Sequence, residues 1–122
     1  MRGLLDTHVL LWWLADDTKL SAAHRAMIAE PDNELFVSAI TVAEVAIKAS
    51  LGKLKASGFH ESLHEAGFCE LPFTATHAEA LGELPWHHRD PFDRMLIAQA
   101  IAERLDLVTT DARLQAYPVV CV

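Results

Sequence analysis

Short apolar runs, several ending at an acid or a hydroxyl residue, alternate with stretches of helical periodicity from one end of the chain to the other. Gly3-Leu4-Leu5-Asp6 is the first run, and Leu35-Phe36-Val37-Ser38-Ala39-Ile40 is the second, richer in strand formers. Residues 68–71, 107–110 and 119–122 supply three more. Between them the spacing of apolar residues predicts helices over 8–15, 22–30, 42–51, 59–66, 75–82 and 92–105. Strands that alternate with helices of this length need crossover connections, which makes the sheet parallel and covers both of its faces. The fold class is therefore α/β, with a sheet of about five strands. At 122 residues, 52% of them hydrophobic, the chain has room for one core, and 1–122 is read as a single domain.

Charge and cysteine usage narrow the function. Seventeen Asp and Glu against ten Lys and Arg give a net charge of -7, which argues against a broad basic surface holding nucleic acid by phosphate neutralisation. Cys69 and Cys121 lie in apolar stretches without a CxxC spacing and read as small buried hydrophobes. The apolar run from Val9 to Ala15 is bracketed by Asp6 and Asp16-Asp17 and lacks a basic leader, so it does not read as a signal peptide. No stretch approaches the roughly 20 apolar residues of a membrane span, and the expected setting is a reducing cytoplasm.

Acids fall at the ends of the strands. Asp6 closes the first, Glu44 sits one helical turn beyond the second, and Asp111 follows the run 107–110. In an open parallel sheet the carboxyl ends of the strands share one edge, where ligands bind. Asp93 joins them if the helix opened by Asp90-Pro91-Phe92-Asp93 leads into that last run. Each acid also has a structural reading. Thr41-Val42-Ala43-Glu44 matches a capping box, Asp90 before Pro91 is an N-cap signature that puts Asp93 at N3, and Asp111 suits the cap of a short helix. Asp6 is the exception, because a carboxylate at the tip of a buried strand is costly without a cation or partners.

Carboxylates converging on one edge repel one another, and a divalent cation relieves them. Oxygen-only donors suit Mg²⁺ or Mn²⁺ rather than zinc, and such a site supports phosphoryl transfer, with one metal activating water and a second steadying the leaving oxygen.

At four places in order the chain resembles the motifs of PIN-domain proteins. These are Leu5-Asp6-Thr7-His8-Val9-Leu10-Leu11-Trp12; Val37-Ser38-Ala39-Ile40-Thr41-Val42-Ala43-Glu44, with Lys48 and Gly52-Lys53-Leu54 downstream; Asp90-Pro91-Phe92-Asp93-Arg94-Met95-Leu96-Ile97-Ala98-Gln99-Ala100; and Leu107-Val108-Thr109-Thr110-Asp111. The resemblance runs from about residue 3 to 122 and is strongest to VapC-like ribonuclease toxins of toxin-antitoxin pairs. It implies a parallel sheet flanked by helices and an endoribonuclease in which Asp6, Glu44, Asp93 and Asp111 bind Mg²⁺ or Mn²⁺ and a metal-activated water cuts RNA. It implies a hydroxyl support for the acids at Thr109, a capping role at Asp90 before any role at the metal, and two partners, a cognate antitoxin and a second copy of the chain. Ala43 departs from relatives that often carry Trp before the glutamate, which touches helix packing and not the acids.

Other residues carry secondary expectations. Arg94 and Lys48 are placed to hold the scissile phosphate or neutralise the acids, with Lys53 and Lys55 on the same rim. Pro85-Trp86-His87-His88-Arg89 forms a cationic, aromatic loop suited to RNA phosphates and base stacking, with His87, His88 and Arg89 the contact candidates. His60-Glu61-Ser62-Leu63-His64 matches the H-E-x-x-H zinc peptidase pattern, but Phe59, Leu63 and Ala66 form the apolar stripe, which turns both His to solvent without a third ligand. Trp12 and Trp13 read as core or homodimer interface. The remaining alternatives are a PIN nuclease outside the toxin class and a silent interaction module, which would have shed acids that this chain keeps.

Overall fold

Leu4 and Leu5, adjacent in sequence and both fully buried, enter different cores, because successive side chains of a strand point to opposite faces. Leu107 and Val108 divide in the same way. A computed structural model describes residues 1–122. In chain order it has β1 (Arg2–Leu5), α1 (Thr7–Leu14), α2 (Ala22–Ala29), β2 (Glu34–Ser38), α3 (Ala39–Ser50), α4 (Phe59–Glu65), β3 (Cys69–Leu71), α5 (Ala75–Gly82), α6 (Pro91–Glu103), β4 (Asp106–Val108) and a 3₁₀ helix, Ala112–Ala116.

The sheet order is β3-β2-β1-β4, with every pair parallel, so β1 is central. Leu4 sits between Phe36 and Leu107, and Gly3 between Leu35 and Asp106. A Cβ on Gly3 would come within 3.1 Å of Val108 Cγ2 and 3.3 Å of Leu35 Cδ2, a close approach that suits glycine. One core packs Leu4 and Leu107 against Leu96, Ile97 and Ala100 of α6 together with Leu114 and Tyr117. The other packs Leu5, Val37 and Val108 against Val9, Leu10 and Leu63, with Trp12 and Trp13 half-buried at its margin. Both faces of the sheet are therefore covered, as the alternation of runs predicts.

Cys69, expected to be buried, is exposed because it opens the edge strand β3, and Cys121 is only partly buried. Two boundaries also differ from the sequence expectation. The fifth run lies beside β4 but joins it through the single parallel bridge Leu107–Cys121, fastened by Leu107 N to Val120 O at 2.8 Å and Val122 N to Leu107 O at 2.9 Å. Val119, just past Pro118, spends its amide on Tyr117 O instead, so pairing starts late. The second difference is the start of α3. Ser38 caps it by accepting from Ile40 N at 2.9 Å, so Thr41 falls inside the helix, where its hydroxyl meets that of Thr7 at 3.1 Å in the interior. The expected Thr41–Glu44 capping box therefore does not form, and Glu44 is released from that role.

Candidate active site

Asp6 follows β1 at the carboxyl edge of the sheet and is the N-cap residue of α1, yet its carboxylate makes no capping bond. Its amide donates to Val108 O at 2.9 Å, which ties it to the end of β4. Asp6 is only 4% exposed. Burial pushes its pKa up, the Thr109 hydroxyl that donates to Oδ2 at 2.8 Å pulls it down, and the charge of Glu44 adds to the rise. Thr109 also accepts Asp111 N at 3.0 Å, so one hydroxyl joins two of the acidic positions.

Glu44 comes from the second turn of α3 and is 7% exposed. Lys48, one turn further along, reaches its Oε2 at 2.9 Å. The hydroxyl contact between Thr7 and Thr41 holds the first turns of α1 and α3 together, which fixes the helix carrying Glu44 against the one that Asp6 begins.

Asp93 reaches the same edge because α6 does lead into β4. Asp90 caps that helix by accepting from Phe92 N at 2.9 Å and Asp93 N at 3.3 Å, with Pro91 at the first helical position. Burial first, then the charges of Asp90 and Asp6, lift the Asp93 pKa from 3.8 to about 6.

His88 opposes that rise. Its Nε2 lies 3.3 Å from Asp93 Oδ2, and its Nδ1 lies 2.8 Å from the Tyr117 hydroxyl. That hydroxyl oxygen already accepts from His88 N and Arg94 Nη1, each at 3.1 Å. Its own proton is then best directed to Nδ1, which assigns the imidazole proton to Nε2, facing Asp93.

The four acids share an edge without meeting at a point. Asp6 feels both Glu44 and, through the pKa of Asp93, the third carboxylate. Asp111 is drawn aside: its Oδ1 caps the 3₁₀ helix through Arg113 N at 3.0 Å, and the Arg113 guanidinium grips both oxygens, closest at 2.7 Å. Those bonds hold the Asp111 pKa down. As the side chains stand, no three carboxylates, imidazoles or thiols are close enough to hold a metal ion. The donor chemistry nevertheless fits a hard divalent cation, since the donors are carboxylate oxygens and their mutual repulsion is the charge a cation offsets. Lys48 engages one oxygen of Glu44, whereas Arg113 engages both oxygens of Asp111.

Two sequence expectations are corrected. Arg94, expected near a phosphate, is 3% exposed and spends its donors inward, on Pro85 O at 2.7 Å, Leu84 O at 3.3 Å and Tyr117. His88, expected as a surface contact, is turned in between Tyr117 and Asp93, whereas His87 and Arg89 remain exposed. His60 and His64 stand exposed on α4, His60 paired with Glu70 at 3.2 Å, beside a cavity of about 500 Å³ that none of the four acids lines. Tyr117 and Arg113 went unnoticed in the sequence. Asp111-Ala112-Arg113 carried a usable signal, because a basic residue two positions after a capping Asp can fold back on it.

Known proteins share this frame. The family model for the PIN domain matches residues 3–120. Ribonuclease VapC22 of Mycobacterium tuberculosis is 34% identical over 93% of this chain and 90% of its own. Among solved structures, the VapBC2 complex of Rickettsia felis bound to a DNA fragment from their promoter superposes with a TM-score of 0.73 at 19% identity, covering 100% of this chain and 98% of its counterpart. The VapBC-1 complex of nontypeable Haemophilus influenzae gives 0.68 at 18% identity, covering 100% and 97%. At these identities the structural likeness speaks for the fold.

Proposed function

This chain belongs to the PIN-domain family, and from that premise we propose that it is a Mg²⁺- or Mn²⁺-dependent endoribonuclease, the toxin of a VapBC-type toxin-antitoxin pair acting in the cytoplasm. The observation that carries the reading is the pressure at one sheet edge: a buried Asp6 whose pKa is raised by burial and by Glu44, beside an Asp93 lifted to about 6 in part by Asp6. Folding tolerates such repulsion where a cation is to be bound.

In this reading Asp6, Glu44, Asp93 and Asp111 hold the ion. A bound divalent cation supplies Lewis acidity and eases the ionisation of water for phosphodiester hydrolysis. The chain's other residues set the geometry. Thr109 fixes one oxygen of Asp6, His88 fixes one oxygen of Asp93, and Lys48 offsets the charge of Glu44 where an anionic backbone approaches. Arg89 and His87 add exposed polar and cationic contacts beside the site.

The partners follow from the relatives. A named ribonuclease at 34% identity supports RNA as substrate, and complexes called VapBC support a cognate antitoxin protein. The half-buried Trp12 and Trp13 and the exposed edge of Leu14 on α1 support a homodimer. No helix is long and apolar enough to cross a membrane. Purified protein should cut RNA in Mg²⁺ or Mn²⁺, stop in EDTA and recover when the metal is returned. Cleavage that survives complete metal removal would overturn the proposal.

A further inference from the structure

Trp86 is 76% exposed, yet it is not loose. The Arg94 guanidinium carbon lies 3.8 Å from the centre of its ring, a stacking distance, and Arg94 is itself buried and bonded to Pro85 O, Leu84 O and the Tyr117 hydroxyl. The indole therefore rests on a fixed support with its opposite face open to solvent. Tyr117 connects this support to the acids, because the same hydroxyl meets His88 Nδ1 and His88 Nε2 faces Asp93. His88 is two positions along the chain from Trp86, and a two-residue step spans at most about 7 Å.

The geometry points to Trp86 as a stacking platform for an unpaired nucleobase of the RNA strand, next to the phosphate that is cut. A rigid open indole loses little conformational freedom when a base lies on it, and stacking accepts any base because every base has a flat face. The exposed Arg89 is close along the chain to meet the neighbouring phosphate. The platform rests on the ribonuclease reading and adds to it a binding subsite for one unpaired base.

Steady-state cleavage of short single-stranded oligoribonucleotides, paired with anisotropy of the same labelled strands, tests it. Trp86→Ala should raise KM roughly tenfold with kcat within about twofold, and Trp86→Phe should restore most of the loss. An abasic nucleotide walked along the strand should raise KM at one position for the wild type and at none for Trp86→Ala, a pattern that a merely structural role would not give. If wild-type protein cuts RNA and Trp86→Ala leaves KM unchanged, the platform is overturned alone, as it is if the variant instead loses only its protein partner. A wild-type chain that neither binds nor cuts single-stranded RNA overturns the platform together with the nuclease reading.

Discussion

Thr109 donates its hydroxyl proton to Asp6 Oδ2 at 2.8 Å, across 103 positions of sequence. Thr109 Oγ1 in turn accepts the amide of Asp111 at 3.0 Å, so the hydroxyl cannot turn away without leaving two polar groups short of a partner. This bond is the main force holding down the Asp6 pKa against burial.

Thr109→Val removes the donor while keeping the shape. The Asp6 pKa should rise further, moving the acidic limb of the cleavage profile to higher pH and lowering kcat/KM about tenfold or more. Thr109→Ser, which keeps the hydroxyl, should behave as the wild type. A pH–rate series on the three proteins decides, and superimposed profiles would refute the role.

Asp93 titrates at about 6 in the folded chain against 3.8 for an ordinary aspartate. The folded state thus binds this proton more tightly than the unfolded state, so its contribution to stability is lost as pH rises between about 4 and about 6. In EDTA at pH 7, Asp93→Asn should be the more stable protein by about 2 kcal/mol, with the advantage gone near pH 4. Mg²⁺ should raise the melting temperature of the wild type and close the gap, while the variant cuts no RNA. Equal melting of the two proteins at pH 7 without metal would refute the charge strain.

His88→Ala frees Asp93 from its imidazole and removes the link to Tyr117. Mn²⁺ affinity, read by calorimetry, should fall about tenfold. Unchanged affinity would show that Asp93 needs no such support.

Arg94→Lys keeps the charge but loses the planar fork that serves Leu84 O, Pro85 O and Tyr117 together. Urea unfolding should report a loss of about 2 kcal/mol. A stability equal to wild type would place the guanidinium in solvent and contradict its burial.

The frame was legible where local pattern and tertiary position agree. Leu4-Leu5-Asp6 reads as strand and tip in sequence and is so in space, and Asp90-Pro91 reads as a helix start and caps one. Legibility failed where a neighbour competed for the same role. Thr41-x-x-Glu44 spells a capping box, but Ser38, at the end of β2, captures the helix start three residues earlier and also donates to Gln99 Oε1. Arg94 was misplaced by adjacency: successive helix residues point about 100° apart, so an Asp93 that faces the acids turns Arg94 beneath the preceding loop. Tyr117 had no local mark, since its partners lie 29 and 23 residues away. The pairing of Asp111 with Arg113 is illegible for a different reason, being a local contact that the strand pattern does not encode.

The order β3-β2-β1-β4 gives the first strand made a neighbour that is made last. During synthesis Leu5 waits for Val108, Asp6 for Thr109, and His88 for Tyr117. A nascent chain short of these residues holds Asp6, Glu44 and Asp93 without their supports, so the acidic edge is assembled only once β4 and the segment behind it have been made.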